Sequence, residues 1–181
     1  MHPKVLVIAG TAGTGKSSVA ELLVEHHIAK YPDMEFLEGD SLHPPANVQK
    51  MAEGIPLQDD DRWDWLRKVA TLSSDSAQKH GLCIVTCSSL KKKYRDLIRT
   101  TCPETNFYFL FLYGEQAVIL KRLEQRQGHF MKGSMMESQF RDLELPNSAE
   151  EPYCNIVNVD GKSFKQVEEE VLADVEKLLA H

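Results

Sequence analysis

One short stretch near the amino terminus constrains the possible fold more than any other. An apolar run at residues 5–9 is followed by Gly10, four further residues and the tripeptide Gly-Lys-Ser, after which residues 17–30 follow a helical pattern. This spacing satisfies G-x-x-x-x-G-K-[ST], and a strand before it and a helix after it are the context that the pattern requires. The sequence therefore predicts a phosphate-binding loop at the start of an α/β domain.

Each residue type in this loop suits a bound phosphate group. Glycine allows the backbone to turn its amide groups inward, and the helix that follows adds the positive end of its dipole. Lys16 is expected to contact the β- and γ-phosphates, and Ser17 is expected to hold Mg²⁺. The nucleotide-binding residues predicted here are Gly10, Thr11, Ala12, Gly13, Thr14, Gly15, Lys16, Ser17 and Ser18.

Length and charge narrow the class of protein further. The chain has 181 residues, enough for one domain with a sizeable core, and a formal net charge of −6 at pH 7. A broad surface for nucleic acid or for an anionic membrane needs clustered lysine and arginine, so neither partner is expected. The apolar run before Gly10 is too short for a signal peptide or a transmembrane helix, which makes the cytoplasm the expected location.

The cysteine pattern gives no sign of a metal site or a disulfide framework. The chain has no C-x-x-C pair, and no histidine lies near a cysteine at metal-ligand spacing. Small buried thiols are therefore predicted for Cys83, Cys87, Cys102 and Cys154.

Five strand-like runs alternate with helical patterns along the chain. This alternation predicts a mostly parallel, five-stranded sheet with helices on both faces, a three-layer α/β/α sandwich, in a single domain spanning residues 1–181. Ligands bind outside the carboxyl ends of the strands in open sheets of this kind. The predicted strands are residues 5–9, 35–38, 83–87, 107–112 and 156–159.

Residues after the second predicted strand supply polar side chains to that edge of the sheet. Asp40 follows the strand directly, and residues 40–80 contain a polar excursion punctuated by prolines and then a long helix. Asp59 and Asp60 at the start of that helix fit either capping or function, since acids are favoured in a first turn. Arg62 opposes the helix dipole, so an anionic partner is expected for it.

Basic residues later in the chain offer further cations. A basic helix is predicted to begin at Ser88, at the carboxyl end of the third strand. Arg95 lies one turn beyond Lys91, so one of these cations is expected to face the site, although the adjoining run of lysines also fits a solvated face. Arg122 and Arg126 stand four residues apart on one predicted helical face, which suits a phosphate clamp.

A glycine-flanked loop follows these arginines. Residues 127–140 are predicted to form a mobile lid, because closing such a loop keeps water from a transferring phosphoryl group. His129 within it fits either a site contact or an ordinary surface residue. Met135 and Met136 are expected to pack into the core.

Taken together, these segments resemble the gluconate kinases of the small P-loop kinase type, which are related to shikimate and adenylate kinases. The resemblance covers nearly the whole chain. The phosphate loop alone indicates only nucleotide binding, so the evidence for gluconate comes from the segments after Asp40 and from Arg126 onward. Its segments are EGDSLHP at 38–44, GIPL at 54–57, DDDRW at 59–63, CSSLK at 87–91, RQGHFM at 126–131 and SQF at 138–140.

The resemblance implies a reaction and a set of residues that carry it out. The reaction is the Mg²⁺-dependent transfer of phosphate from ATP to the 6-hydroxyl group of D-gluconate, which gives 6-phospho-D-gluconate and ADP for the pentose phosphate pathway, in a cytoplasmic homodimer. Lys16, Asp40 and Arg126 are the implied catalytic residues, with Arg122 against adenine and Arg126 on the phosphates. The implied substrate contacts are Asp40, His43, Lys50, Arg62, Ser88, Arg95, His129 and Gln139.

Two of these roles have alternatives. Arg62 or Arg95 is expected to hold the gluconate carboxylate in bidentate fashion, with Lys50 and His43 as the next candidates. Asp40 is expected to orient or deprotonate the acceptor hydroxyl group. Capping of the following turn, or support of Mg²⁺ through water, are the other interpretations of Asp40.

The chain departs from the family pattern at a few positions. Asp64 and Lys132 stand where the family commonly has proline, and Met135 and Met136 replace leucines, which bears on the helix start and on the stiffness of the lid. The alternative functions are phosphorylation of another small polyol acid such as shikimate, phosphorylation of a nucleoside monophosphate, and a non-enzymatic nucleotide-dependent switch.

Overall fold

The structure, a computed structural model, describes residues 2–125 and 133–180. Its strands are β1 (Lys4–Ala9), β2 (Glu35–Glu38), β3 (Leu82–Thr86), β4 (Asn106–Tyr113) and β5 (Cys154–Asn158). Its α-helices are α1 (Lys16–His27), α2 (Pro45–Ala52), α3 (Asp59–His80), α4 (Lys92–Thr101), α5 (Gln116–Glu124), α6 (Gly133–Asp142) and α7 (Phe164–Leu179), and a 3₁₀-helix spans Gly39–Leu42.

The five strands form one sheet in the order β2-β3-β1-β4-β5, and every neighbouring pair is parallel. Parallel neighbours need long crossover connections, which the helices supply, and strands covered on both faces become nearly continuous apolar runs. The central strand β1 has this character, since residues 5–9 are all fully buried. The prediction of a five-stranded, mostly parallel sheet is confirmed.

Side chains of β1 alternate between two separate core clusters. Leu6 and Ile8 pack on one face with residues of α1 and α7, whereas Val5 and Val7 pack on the other face with residues of α3 and α4. This alternation follows from the two-residue period of a strand. Helices therefore cover both faces of the sheet, and the predicted three-layer α/β/α sandwich is confirmed.

Several element boundaries differ from the prediction, and contacts elsewhere in the chain account for two of them. The basic helix α4 begins at Lys92 rather than Ser88, because the intervening residues form a loop in which Ser88 accepts a hydrogen bond from the Gly10 amide at 3.1 Å and Ser89 has a φ of 47°. β5 begins at Cys154, two residues early, because this residue is paired with Phe109 of β4. Ser88 is therefore held beside the glycine loop.

Other general predictions have clear outcomes. The four cysteines are all buried and free, so the prediction of buried thiols is confirmed. The excursion after β2 forms the 3₁₀-helix and α2, which the sequence did not predict; Pro45 opens α2, where a missing amide hydrogen costs nothing. No helix within the described ranges combines the length and the apolar character needed to cross a membrane.

Candidate active site

A cavity of about 620 Å³ lies at the carboxyl edge of the sheet, between the glycine loop, the 3₁₀-helix, α3 and α6. This is the edge at which ligands bind in open α/β sheets. The predicted site residues that line it are Ala12, Gly13, Gly15, Lys16, Ser17, Ser18, Asp40, His43, Arg62, Ser88 and Gln139.

The backbone of the loop requires glycine at the predicted positions. Gly10, Gly13 and Gly15 have φ values of 132°, 83° and 94°, which L side chains rarely adopt. A Cβ atom on Gly10 would also lie 2.3 Å from the carbonyl oxygen of Leu112. The loop can therefore take this path only with glycine, and its path brings backbone amides to the edge of the cavity.

Lys16 is folded over this loop. Its Nζ donates hydrogen bonds to the carbonyl oxygens of Gly10 and Thr11, at 2.8 and 3.0 Å. Burial lowers the pKa of Lys16, and the nearby Asp40 is the largest opposing influence. The ammonium group is thus held among loop carbonyls at the place where a phosphate group would take over its hydrogen bonds.

Ser17 has a carboxylate partner that the sequence analysis did not assign to the site. The Ser17 hydroxyl donates to Oε1 of Glu38 at 2.8 Å, and the Thr86 hydroxyl donates to Oε2 at 2.7 Å. Glu38 is the last residue of β2, so its position at the carboxyl end of a predicted strand was the signal that could have identified it. It places a fixed carboxylate beside the predicted Mg²⁺ ligand.

Asp40 occupies the 3₁₀-helix that follows β2. Its neighbour Gly39 is fixed by two contacts: the Gly39 amide donates to Oγ1 of Thr86 at 3.3 Å, and Trp65 Nε1 donates to the Gly39 carbonyl at 2.8 Å. A Cβ at Gly39 would lie 2.0 Å from the Thr86 carbonyl, so only glycine fits. The 3₁₀-helix has no side-chain cap, and Asp40 lines the cavity.

Arg62 has the anionic partner expected for it. Its Nη1 donates to Oδ2 of Asp142 at 3.1 Å and to the Tyr94 hydroxyl at 2.6 Å, and the guanidinium lies over the Tyr94 ring. Among the described residues, Nε and Nη2 have no hydrogen-bond acceptor. Because Arg62 lines the cavity, this second edge of the guanidinium is available to a ligand.

Arg95 does not lie on the cavity, which corrects its place among the predicted substrate contacts. It is fully buried, and all five of its N–H groups have protein acceptors. Nε and Nη2 donate to the carboxylate of Glu151 at 2.7 and 2.9 Å, and the remaining N–H groups donate to three backbone carbonyls. Arg95 therefore binds together two parts of the core and has no donor left for a substrate.

Lys50 and the three acids at the start of α3 each have a partner within the protein. Lys50 Nζ donates to Oδ1 of Asp61 at 2.8 Å and is not part of the cavity lining. The capping box of α3 uses Gln58 and Asp61, whereas Asp59 accepts hydrogen bonds from Lys91, Lys93 and Tyr94. Asp59 therefore belongs to the network around Arg62 and not to the helix cap. Asp60 accepts a hydrogen bond from Trp63 Nε1 at 3.3 Å.

The other side of the glycine loop holds a second cavity, of about 360 Å³. Arg122 lines it together with Thr14 and the exposed ring of Phe164, and its Nη2 donates to the Val159 carbonyl at 3.3 Å. Gln139 lies on the first cavity instead, where its Oε1 accepts a hydrogen bond from the Ala12 amide at 2.8 Å. Gln139 thus contacts the phosphate loop directly.

Several predictions fall on residues outside the described ranges. These are the roles of Arg126 and His129, the departure at Lys132 and residues 127–132 of the predicted lid. The described end of that segment is α6, in which Met135 and Met136 are buried as expected. Met136 packs in the core cluster of α1 and α7, whereas Met135 lines the main cavity.

A parallel sheet whose first strand runs into this loop, with a lysine and a hydroxyl residue at its end, is the architecture of P-loop nucleotide-binding proteins. The family model described as "Adenylylsulphate kinase" matches residues 2–137. A "Probable gluconokinase" of Saccharomyces cerevisiae is 61% identical over 171 residues, which are 93% of this chain and 89% of that protein. The "Thermoresistant gluconokinase" of Escherichia coli is 41% identical over 157 residues, 86% of this chain and 85% of that protein.

A solved structure agrees with these relatives. The crystal structure of a gluconokinase from Sinorhizobium meliloti superposes with a TM-score of 0.80 at 39% sequence identity, covering 98% of this chain and 94% of that one. The chain belongs to the gluconokinase family of P-loop kinases.

Proposed function

We propose that the protein transfers the γ-phosphoryl group of ATP to the 6-hydroxyl group of D-gluconate. The observation that carries this proposal, beside the family relationship, is that the Lys16 loop and the available edge of Arg62 line one cavity. An acceptor for such a cavity has a hydroxyl group at one end and a carboxylate at the other. Gluconate, a linear polyol with one carboxylate, has this form.

Arg62 is the proposed carboxylate ligand. Nε–H and Nη2–H point along one edge of a planar guanidinium and match the two oxygens of a carboxylate in a bidentate pair. The opposite edge is fixed by Tyr94 and Asp142, so the guanidinium is oriented before the substrate arrives. Arg95 has no N–H group available for this role.

Asp40 and Lys16 are the proposed residues at the reacting end. Asp40 accepts a hydrogen bond from the 6-hydroxyl group and takes its proton as the oxygen bonds to the γ-phosphorus and the bond to the leaving ADP oxygen breaks. Lys16 moves from the carbonyls of Gly10 and Thr11 to the phosphate oxygens, where its charge stabilises the transition state. Arg126 is proposed to contact the same phosphates, and Arg122 the adenine.

The oxygen donors near the loop fit Mg²⁺. This ion prefers oxygen ligands and binds through one or two carboxylates, phosphates and water. Ser17 and Glu38 supply a hydroxyl and a carboxylate 2.8 Å apart. No group of three or more metal-ligating side chains occurs in the described part of the chain, so phosphate and water would complete the shell. Bound there, Mg²⁺ would neutralise charge on the β- and γ-phosphates.

The proposal also covers the oligomeric state, the location and the pathway of the enzyme. We propose a homodimer in the cytoplasm whose product enters the pentose phosphate pathway, in line with the family resemblance. Sedimentation of the purified protein tests the dimer directly.

Coupled ADP-release assays test the proposed reaction. The acceptor panel contains D-gluconate, other sugar acids, shikimate, nucleoside monophosphates and adenylylsulphate, which represents the matching family model. Lys16→Ala in parallel identifies turnover that comes from a contaminating kinase. We expect gluconate to give the highest kcat/KM, and Mg²⁺ chelation to abolish it.

Two other outcomes of these assays would contradict the proposed reaction. If shikimate or a nucleotide acceptor gave a higher kcat/KM than gluconate, that acceptor would be identified as the substrate in place of gluconate. ATP binding without stimulated ADP release by any acceptor would favour a nucleotide-dependent switch.

A further inference from the structure

A buried asparagine lies next to the cavity and was not among the predicted site residues. Asn47, in the first turn of α2, is 3% exposed, although its neighbours Ala46 and Val48 are exposed. Its Nδ2 lies 2.7 Å from the Asp61 carbonyl oxygen and 3.1 Å from Nδ1 of His43. These two contacts determine the protonation of the histidine ring.

Hydrogen-bond donors and acceptors around Asn47 restrict the orientation of its amide group. The backbone carbonyl of Asp61 can only accept, so the Asn47 atom facing it is the NH₂ group, and the orientation of the amide is fixed. The same NH₂ group faces Nδ1 of His43. An NH₂ group can only donate, so Nδ1 must be the unprotonated, accepting nitrogen, and the ring proton is on Nε2.

Packing fixes the plane of the ring as well. His43 stacks on Trp65 with 3.9 Å between ring centroids and 19° between planes. Trp65 is itself held by the hydrogen bond from its Nε1 to the Gly39 carbonyl. Among the described residues Nε2 of His43 has no partner, and His43 lines the main cavity, so Nε2–H is the group it offers to a ligand.

We propose that Asn47 is a positioning residue that holds His43 as the neutral Nε2–H tautomer, a hydrogen-bond donor to a hydroxyl group of the acceptor. This proposal rests on the proposed function for the identity of the acceptor, but the tautomer is a property of the ligand-free protein. It gives His43 a role in recognition, and it leaves proton abstraction to Asp40.

The electrostatic surroundings agree with a neutral ring. Burial is the main cause that lowers the pKa of His43, to about 4; Asp40 raises it and Arg62 lowers it. The charges near it on α2 and α3, Lys50 and Asp61, are paired with each other. His43 is therefore uncharged near pH 7, and it does not compete with Arg62 for the substrate carboxylate.

Nuclear magnetic resonance tests the tautomer without any substrate. Long-range ¹H–¹⁵N spectra of the histidine rings, with the His43 signals assigned from His43→Gln, report which nitrogen carries the proton. We expect Nε2–H in the wild type from pH 6 to 8. A wild-type ring protonated on Nδ1, or charged at pH 6.5, would overturn the proposal.

Asn47→Asp changes the acceptor pattern with little change of volume. A carboxylate accepts only, so it favours Nδ1–H and a charged ring, and we expect the His43 pKa to rise by about 1–3 units. The KM for gluconate should then depend on pH between about 5 and 8, with a smaller change in kcat. Gln49→Glu adds the same charge at an exposed position of α2 and should leave the pH profile as in the wild type.

If Asn47→Asp does not fold, a second pair of variants tests whether His43 donates a hydrogen bond to the acceptor. His43→Phe keeps a ring on Trp65 but has no donor, whereas His43→Gln keeps a neutral N–H donor. We expect His43→Phe to lower kcat/KM for gluconate by about 3- to 10-fold more than His43→Gln. Equal losses would remove the donor role. Absence of wild-type gluconate turnover would instead overturn the proposed function, while the spectra would still decide the tautomer.

Discussion

Two arginines on neighbouring helices, Arg62 of α3 and Arg95 of α4, are both buried, at 9% and 0% exposure. Arg95 uses all five N–H groups on Glu151 and backbone carbonyls, whereas Arg62 uses only Nη1 on described residues. A buried guanidinium with every donor satisfied stabilises the fold, and one with an edge open to a cavity binds a ligand. The use of the N–H donors therefore distinguishes the ligand-binding role of Arg62 from the structural role of Arg95, although both residues are arginine.

The two acidic partners differ in the same way. Glu151 has a side chain that is 2% exposed and, among the cations that the structure describes, pairs with Arg95 alone. Asp142 is 12% exposed and has two further cations nearby, Arg141 at 3.8 Å and Lys91 at 3.9 Å. Removing Arg95 therefore leaves a buried, unpaired charge, while removing Arg62 leaves an acid that still has a cation nearby.

The largest expected effect is on stability, from Arg95→Met. Breaking one partner of a buried ion pair costs about 3–5 kcal/mol, because the remaining charge is desolvated and uncompensated. Chemical denaturation measures the free energy of unfolding. Adding Glu151→Leu should recover part of the loss, since the charge is removed, although three backbone carbonyls still lose the hydrogen bond from Arg95. A loss below about 1 kcal/mol in the single variant would contradict the structural role.

The next effect is on substrate affinity, from Arg62→Met. Loss of a buried, charge-assisted contact should weaken gluconate recognition by about 2–5 kcal/mol, roughly 30- to 5000-fold in kcat/KM. The KM for ATP should change little. Arg67→Met, on the exposed face of the same helix, is the matched control and should leave both constants unchanged. If Arg62→Met and Arg67→Met behave alike, the substrate carboxylate is held elsewhere.

A smaller effect is expected from Tyr94→Phe, because Tyr94 contacts Arg62 through both its hydroxyl group and its ring. The Tyr94 hydroxyl accepts from Arg62 and donates to Asp59, so its loss leaves the guanidinium less firmly oriented. The ring, over which Arg62 lies, is retained. One hydrogen bond of this kind contributes about 0.5–1.5 kcal/mol, so steady-state kinetics should show a 2- to 12-fold rise in the KM for gluconate. An unchanged KM would mean that Asp142 alone orients Arg62.

The sequence predicted most of the fold because its signals are local. The glycine loop and the five apolar runs each depend on a few adjacent residues. The errors fell where long-range contacts decide the boundary, as at α4, whose loop is bound to Gly10 across the sheet. Parallel strands then carry Lys16 and Asp40 to one edge, which is why their shared cavity followed from the sequence pattern, whereas the place of Arg62 beside them was implied by the family resemblance.

The rest of the site depends on partners far away in the chain. Arg95 and Glu151 are 56 residues apart, and no spacing near Arg95 shows that this acid will consume its donors. Glu38 was missed because a strand-end glutamate becomes a site residue only when Ser17 lies against it. The burial of Asn47, which gives it control of His43, likewise depends on α3 folding over it.

The smallest expected effect is on stability at acidic pH, through the hydrogen bonds of Asp59 in the network around Arg62. Hydrogen bonds from Lys93, Tyr94 and Lys91 hold the pKa of Asp59 well below its usual value of 3.8 in the folded protein. The folded state therefore binds this proton less tightly than the unfolded state, so the contribution to stability is present above about pH 4 and is lost as the pH falls below it.

Because Asp59 is partly exposed, screening keeps this contribution to at most about 1 kcal/mol. Denaturation of the wild type and of Asp59→Asn should differ most at pH 6, and the difference should shrink as the pH falls below about 4, because the carboxyl group of the unfolded chain takes up a proton there before that of the folded chain. Asp64→Asn, whose side chain is 97% exposed, should show no such convergence because it starts with almost no difference. If the gap between wild type and Asp59→Asn is the same at pH 6 and pH 3, the ionised form of Asp59 does not stabilise the network, and the orientation of Arg62 depends on Asp142 and the neutral Tyr94 hydroxyl alone.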